Sequence, residues 1–318
     1  MDEEVVDLTT LRHDVSSTRG FFFYARFFFF FSFLPSIPKD EGMCASVDID
    51  DVAKELLQHN YIHVPGNRMK HILDGRVNLA SLTPFWDDTA PQQDETGQEV
   101  YPGKRSLCSY YNYQAKEPCQ STSGGRDVTF EDIDPTTVHQ VSNCRVHKAW
   151  PVDADSNSTL LALREFVFRV LGVVLLRESP TDHDNASPLE DFRAMQTAYR
   201  VVQQPSAVRG NPGPEGVHQD DATLTVICLI RRNNVRGGVN RVWTLAQPNG
   251  KPLPSDIRSD NDRLVAEFLL QQPLDTLLVL DRRVKHEATD ICPIDTRKVA
   301  VRDVLTFEVR PKSKSRQS

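Results

Sequence analysis

Three side chains that commonly bind metal ions occur at two distant places in the chain. His218 and Asp220 flank a single residue, and His286 lies far downstream of them. Side chains two positions apart on a β-strand point to the same face, so His218 and Asp220 can reach one metal ion together. With His286 as the third ligand, two imidazoles and one carboxylate would occupy one face of an octahedron and leave the other positions open. This donor set suits Fe(II) that also binds a chelating co-substrate and dioxygen.

The residues next to these ligands predict strands that would position them. Residues 223–230, shortly after Asp220, are rich in β-branched types and predict a buried strand. A second apolar run, 275–280, precedes His286. This context matters because a His-x-Asp pair alone would arise easily by chance in a chain with nine His and 44 acidic residues. The two strands would bring the ligands to one end of a sheet, where they could share a metal ion.

A third predicted strand offers a binding site for the co-substrate. Residues 301–309 alternate between apolar and polar types, so Arg302, Thr306 and Glu308 should share one face. A 2-oxo acid that chelates iron and carries a second carboxylate needs a cation at its far end, and the planar fork of arginine suits a carboxylate better than lysine does. We expect Arg302 to be this cation because it lies within the strand pattern. Arg297, in a predicted turn, is the alternative, and a solvated surface position for Arg302 stays open.

Four short segments of the chain resemble those of a known enzyme family, namely 214–220, 233–241, 280–289 and 302–304. The family is that of the bacterial-type 2-oxoglutarate and Fe(II)-dependent dioxygenases, which includes isoleucine-type hydroxylases of free amino acids. The resemblance covers residues 195–310 and is looser over 48–194. Two positions depart from the family pattern: Asp221 replaces an expected glycine and Asn240 an expected serine.

The resemblance implies that His218, Asp220 and His286 bind Fe(II) and that Arg302 binds 2-oxoglutarate, with dioxygen completing the set of cofactors and co-substrates. It also implies an enzyme that hydroxylates an unactivated C–H bond of a small substrate, a free amino acid. Each metal-binding histidine would need an acceptor for its other ring N–H, and the sequence does not identify these acceptors.

Substrate identity stays open at the level of sequence. Tyr199 and Arg200 lie on a predicted strand before the metal motif and are weak candidates for substrate contacts, Arg200 with a substrate carboxylate. The long loop over 246–263 could cover a larger secondary-metabolite or peptidyl substrate. A non-catalytic jelly-roll binding protein, in which the His and Asp residues are incidental, is the alternative from a different class.

The remaining elements predict a mostly β fold with supporting helices. Several strands in the back half are separated by turns without a long helix, which favours an antiparallel double sheet over a parallel α/β fold. We therefore expect a double-stranded β-helix, the cupin-like jelly roll, with the metal at its open end. Helices are predicted over 48–57 and 160–175, and further strands over 61–65, 106–113 and 195–202; residues 86–128 are otherwise predicted to be mostly loop.

The sequence predicts a single catalytic domain over residues 43–310, flanked by two dissimilar terminal segments. Residues 1–42 contain an aromatic run that is interrupted by Arg26 and too short for a membrane-spanning helix. This leader could be a misannotated extension with translation from Met43, an atypical anchor, or an element that binds a partner. Residues 311–318 form a short basic tail that predicts a disordered terminus.

Composition limits the classes of function. A net charge of −7 and a pI near 5.7 argue against nucleic acid as the main partner, since phosphate recognition needs a basic face. The six cysteines contain no C-x-x-C pair and suit a reducing compartment. We therefore expect a cytoplasmic enzyme with a small-molecule substrate and no membrane partner; its oligomeric state is open.

Overall fold

The computed structural model describes residues 41–93, 96–99, 101–115, 128–132, 137–140, 145–178, 188–205, 215–253 and 262–312. Within these ranges the helices are α1 (Glu41–His59), α2 (Gly66–Ile72), α3 (Thr83–Asp87) and α4 (Ser158–Glu178), with 3-10 turns at Leu79–Leu82, Val152–Ser156 and Pro188–Asp191. The strands are β1 (Tyr61–Val64), β2 (Ala90–Pro91), β3 (Lys104–Ala115), β4 (Val128–Asp132), β5 (Thr137–Gln140), β6 (Arg145–Ala149), β7 (Phe192–Gln203), β8 (Leu224–Asn233), β9 (Val235–Gly237), β10 (Asn240–Trp243), β11 (Leu264–Phe268), β12 (Thr276–Val279), β13 (Lys285–Ala288), β14 (Ile291–Pro293) and β15 (Ala300–Pro311).

The strands form one large sheet and two smaller ones. The large sheet has the order β1-β12-β8-β15-β7-β3-β6-β5, and β2 and β4 also pair with β3. Its strands are antiparallel to their neighbours except for β3 and β6, which are parallel. The second sheet has the order β11-β10-β13, and β9 pairs with β14. The predominantly antiparallel β fold predicted from the sequence is therefore confirmed.

The two faces of the large sheet pack against different partners, because side chains alternate along each strand. On one face Val226 and Leu305 belong to the same core cluster as buried residues of α1 and α4. On the opposite face Leu229 of β8 and Val304 of β15 pack with Val242 of β10. The second sheet thus covers the face that points away from the helices. This is the double-stranded β-helix with supporting helices that the sequence predicts.

The two predicted helices are present, and both are longer than predicted. Helix α4 includes all of 160–175 and begins after Asn157, whose Oδ1 accepts hydrogen bonds from the backbone N–H groups of Thr159 (3.0 Å) and Leu160 (3.1 Å). Such a cap satisfies donors that the first helical turn cannot pair internally. Helix α1 includes 48–57 and extends from Glu41 to His59.

The predicted strands correspond to β1, β3, β7, β8, β12 and β15. The prediction of mostly loop over 86–128 is wrong at its beginning, where α3 ends at Asp87 and β2 precedes the long β3. Residues 116–127 lie outside the described residues. So do 1–40, most of the leader, and 313–318, most of the basic tail.

From Asp40 onward the chain forms one compact unit, while the domain boundaries predicted near residues 43 and 310 stay predictions. Among the described residues, no helix combines the length and apolar character that crossing a membrane requires.

Candidate metal centre

The three predicted ligands meet at one point of the structure. One ligand atom from each of His218, Asp220 and His286 lies within 4.8 Å of the others. The Nε2 atom of His218 is 3.3 Å from Oδ1 of Asp220, and the Nε2 atom of His286 is 3.3 Å from Oδ2. The two imidazole rings are 4.5 Å apart, centroid to centroid. This cluster, called the triad below, offers two imidazole nitrogens and one carboxylate to a single ion.

The backbone holds the two histidines together across a large sequence separation. His218 and His286 exchange both backbone N–H···O hydrogen bonds, each 3.0 Å long. Val217 makes a similar exchange with Gly250, and Gly216 approaches that residue so closely that a Cβ would lie 2.4 Å from its carbonyl. The His-x-Asp pair is therefore held by isolated bridges before β8 begins. It lies at the start of the strand that follows it, as the sequence predicts, and not within a regular strand; both side chains reach the same point.

Asp221, which follows the motif, has a backbone φ of +59°. This left-handed conformation favours glycine and is tolerated by Asp and Asn better than by most residues. The conformation explains in physical terms why a glycine is expected at this position, and it shows that the aspartate keeps the turn.

Each triad histidine has an acceptor near its second ring nitrogen. Nδ1 of His218 lies 2.8 Å from the carbonyl oxygen of Gly216. A carbonyl can only accept, so Nδ1 carries the proton and Nε2 presents its lone pair to the centre. Nδ1 of His286 makes an ion-pair contact of 3.3 Å with Oδ1 of Asp281 that lacks hydrogen-bond geometry. Asp281 is fully buried, and its Oδ2 accepts from the backbone N–H of Ala222. The sequence did not identify Gly216 or Asp281, because their roles follow from tertiary contacts.

The protonation of the triad reflects its burial and its opposite charges. Burial alone would raise the pKa of Asp220, but His286 and His218 outweigh it and hold that pKa well below its usual range. Burial alone would lower the pKa of His286, but Asp220 and then Asp281 raise it to about 10. The metal-free site therefore contains a carboxylate and an imidazolium. A metal ion would have to displace this proton, because it binds the neutral imidazole.

The triad opens into a cavity of about 320 Å³ between the two main sheets. Arg302, Thr306 and Glu308 all line this cavity, which confirms the prediction that they share a face of β15. Arg302 is only 2% exposed, and its Nε and Nη2 atoms have no hydrogen-bond partner among the described residues. Burial, and then the nearby Arg232, lower the pKa of Arg302 to about 10, so the guanidinium remains charged at neutral pH. A buried cation with unused N–H donors suits an anionic ligand.

The other three predicted site residues lie in different surroundings. Tyr199 lines the cavity, and the Nζ atom of Lys104 lies 4.5 Å from the centre of its ring. Arg200 is directed elsewhere: its Nε is 2.9 Å from Oδ1 of Asp303, and it also binds Asp87. The structure thus brings Tyr199 to the cavity and Arg200 into an ion-pair network outside it.

Arg297 lies on the surface. Its side chain is 87% exposed, and its Nε is 3.0 Å from Oδ1 of Asp295. It is not among the residues that line the triad cavity.

Glu308 and Arg310 lie beside the triad, and the sequence pattern gave neither residue a role at the metal site. The Nη2 atom of Arg310 donates to the backbone carbonyl of Asp220 and to the carboxylate of Glu308, at 2.6 Å in each case. Burial, and then the charge of Asp220, raise the pKa of Glu308 well above its usual range. The alternation of β15 contained a signal for both residues, since it places positions 308 and 310 on the face that carries Arg302.

Comparison with known proteins supports the same chemistry. Residues 197–308 match the family model described as 2OG-Fe dioxygenase, and this range includes all three triad residues and Arg302. No curated protein matches the chain.

The fold is similar to that of several solved structures. The Fe(II)/(alpha)ketoglutarate-dependent dioxygenase TqaL superposes with a TM-score of 0.63 at 19% identity, covering 86% of this chain and 90% of that one. A bsmA homolog from Methylobium petroleophilum superposes with a TM-score of 0.60 at 19% identity, covering 83% of this chain and 93% of that one. IDO from Bacillus thuringiensis superposes with a TM-score of 0.56 at 15% identity, covering 83% of this chain and 99% of that one. At these identities the superpositions support the double-stranded β-helix alone. The match of residues 197–308 to the 2OG-Fe dioxygenase model adds the chemistry: the chain is an oxygenase that uses Fe(II), 2-oxoglutarate and dioxygen.

Proposed function

We propose that the protein hydroxylates an unactivated C–H bond of a free amino acid, with the triad holding Fe(II) and Arg302 binding the far carboxylate of 2-oxoglutarate. One observation carries the proposal: the triad and an arginine with unpaired N–H donors face the same cavity. The donor set suits Fe(II), and the arginine suits the dicarboxylate that must chelate it. When bound, Fe(II) with dioxygen would supply oxidative decarboxylation of 2-oxoglutarate to succinate and carbon dioxide, with one oxygen atom passed to the substrate.

The protein's own residues would orient these partners. The Gly216 carbonyl would fix the His218 ring through its Nδ1–H. The Asp281 carboxylate, 3.3 Å from Nδ1 of His286, would act on the second ring by its charge. Both Nε2 atoms lie 3.3 Å from Asp220. Apolar side chains of the large sheet, including Ile227, line the cavity and limit the access of water.

The polar groups near the triad support a zwitterionic substrate. Glu308 and Arg310 line the cavity beside Asp220. The Glu308 carboxyl group can accept a hydrogen bond from an ammonium, and the Arg310 guanidinium can donate to a carboxylate. A volume of about 320 Å³ lies at the small end of the range for ligand pockets, which favours a small molecule over a peptidyl or large secondary-metabolite substrate.

We further infer a cytoplasmic setting without nucleic-acid partners. The net charge of −7 disfavours phosphate backbones. Cys108, Cys228 and Cys292 are free thiols, which suits a reducing compartment and a ferrous cofactor.

The proposal is tested by succinate release from 2-oxoglutarate in air, with Fe(II) and each member of a panel of free amino acids. The expected result is substrate-stimulated succinate release and a product heavier by about sixteen mass units, the mass of one inserted oxygen atom. His218→Ala should abolish both metal binding and turnover. His71→Ala is the matched control, since that imidazole is largely exposed and pairs with Asp48 at the surface.

Two results would overturn the proposal at different levels. Iron binding and slow 2-oxoglutarate consumption that no amino acid stimulates would remove the amino-acid substrate and favour the larger one. An absence of both iron binding and turnover would favour a binding protein over an enzyme.

A further inference from the structure

Asn240 is a buried amide that faces the triad cavity without a partner. It lies on β10, is 1% exposed and lines the cavity. Neither its Oδ1 nor its Nδ2 atom has a hydrogen-bond partner within the part of the chain that the structure describes. Buried side-chain amides in native proteins are almost always paired, and an unpaired one is costly. An apolar residue of similar volume would fill the same space at lower cost, so the amide suits a polar partner beyond the described residues, such as a ligand bound in the cavity.

The register of β10 locates Asn240 between the two ends of the cavity. Asn240 pairs with Ala288, and two residues further along Val242 pairs with the triad residue His286. Two residues before Asn240, Gly238 adjoins the side chain of Arg302: a Cβ there would lie 3.2 Å from Cδ and 3.3 Å from Nε. One short strand therefore passes from Arg302 to the triad, and Asn240 lies between them. A ligand that spans from the metal to Arg302 must pass the Asn240 side chain.

The chemistry of the amide identifies the kind of group that it would bind. Nδ2 supplies two N–H donors, which suit a carboxylate oxygen, and the amide adds no further charge beside the buried cation Arg302. We propose that Nδ2 of Asn240 donates a hydrogen bond to a carboxylate of 2-oxoglutarate held between the triad and Arg302, which makes Asn240 a further binding residue for the co-substrate. This inference rests on the proposed function, because it requires the co-substrate to span those two groups.

The test measures co-substrate binding directly and does not depend on turnover. The protein is loaded with Zn(II), which has no redox chemistry, and titrated with 2-oxoglutarate in a calorimeter. Asn240→Leu keeps the branched shape of the side chain and removes the hydrogen bond, so it should weaken binding by roughly tenfold to a hundredfold, as for a hydrogen bond to a charged group. Asn240→Asp should weaken binding further, because its carboxylate would face that of the ligand. Asn240→Ser keeps one donor and should lie between the unchanged protein and Asn240→Leu.

A matched control changes the neighbouring position on the same strand. Arg241 lies on the other face of β10, where it binds Glu267 and Glu287. Arg241→Lys should leave the affinity for 2-oxoglutarate unchanged. Zn(II) affinity, measured for every variant, reports whether the triad is intact; a loss confined to 2-oxoglutarate is expected for the Asn240 series.

The outcomes separate this inference from the function on which it rests. If the unchanged protein loaded with Zn(II) does not bind 2-oxoglutarate, the proposed function and the role of Asn240 fall together. A second outcome would overturn only the assignment of Asn240. In it, the unchanged protein binds 2-oxoglutarate and Arg302→Met abolishes that binding, while Asn240→Leu and Asn240→Ser bind as tightly as the unchanged protein. Should Asn240→Leu lose Zn(II) binding, the Asn240→Ser variant decides by the same criterion.

Discussion

Replacing Arg302 by methionine should stabilise the ligand-free protein and at the same time remove its affinity for 2-oxoglutarate. The guanidinium is buried without a carboxylate partner among the described residues, and burial lowers its pKa to about 10. A base whose pKa falls on folding destabilises the folded state at every pH below the folded value, so the penalty is fully present at neutral pH. Methionine fits the space of the arginine stem and carries no charge.

The size of the stability change follows from the lowered pKa of Arg302. The fall from the usual arginine pKa to about 10 corresponds to about 3 kcal/mol, at 1.36 kcal/mol for each pKa unit. The Arg302→Met variant should therefore have a free energy of unfolding higher by up to about 3 kcal/mol, in line with other replacements of buried charges by apolar groups. Its affinity for 2-oxoglutarate should fall by roughly a hundredfold to a thousandfold, since a buried charge pair loses one partner.

The assay combines urea denaturation of the metal-free protein with calorimetric titration of 2-oxoglutarate into the Zn(II)-loaded protein. Arg297→Met is the control, because that side chain is exposed and paired with Asp295. It also tests Arg297 as the alternative residue that binds the far carboxylate of 2-oxoglutarate. Neither quantity should change in it. A large loss of stability in Arg302→Met with unaltered 2-oxoglutarate affinity would refute the reasoning and make Arg302 a structural residue. If only Arg297→Met loses affinity for 2-oxoglutarate, Arg297 and not Arg302 binds the co-substrate carboxylate.

Three further predictions concern the surroundings of the triad. Asp281→Asn should lower Fe(II) affinity by roughly tenfold to a hundredfold, because the amide holds the His286 ring less well; a metal titration with an unchanged midpoint would contradict this. Gly238→Ala should weaken 2-oxoglutarate binding while sparing Zn(II) affinity. Gly238 has a φ of +67°, and a Cβ there would lie 3.2 Å from Cδ of Arg302. Equal weakening of 2-oxoglutarate and Zn(II) binding would indicate general misfolding. Metal binding near pH 7 should release about one proton. Burial alone would lower the pKa of His286, but Asp220 and Asp281 raise it to about 10, and a metal ion binds the neutral ring. Affinity should then rise with pH, and calorimetry in buffers of different ionisation enthalpy would count the protons; a count of zero would show that the ring is already neutral.

The sequence was sufficient to predict those features that depend on one strand at a time. Alternation along 301–309 places Arg302, Thr306 and Glu308 on one face whatever the rest of the chain does, since side-chain direction in a strand has a period of two. The same period implies that two adjacent residues of β7 cannot both face the cavity. Tyr199 lines it and Arg200 binds Asp303 on the other side, as this rule requires.

The features that the sequence could not supply depend on contacts between distant segments. The bridge between His218 and His286, and the position of Asp281 beside the His286 ring, come from pairing that no local pattern encodes. The lack of partners at Asn240 is likewise a property of the assembled cavity. An isolated strand of four residues does not reveal which polar side chain will be buried without a partner.

The charges of the cavity imply an order of binding for metal and co-substrate. Without metal, the triad end holds the Asp220 carboxylate paired with the His286 imidazolium, and it offers a dicarboxylate no chelation site. The co-substrate would then be held mainly by Arg302 at the other end. A divalent ion displaces the His286 proton, adds positive charge at the triad end and provides the chelation site, so we expect 2-oxoglutarate to bind the metal-loaded protein far more tightly than the metal-free protein. Titrations with and without Zn(II) measure the difference, and equal affinities would mean that the co-substrate binds away from the triad.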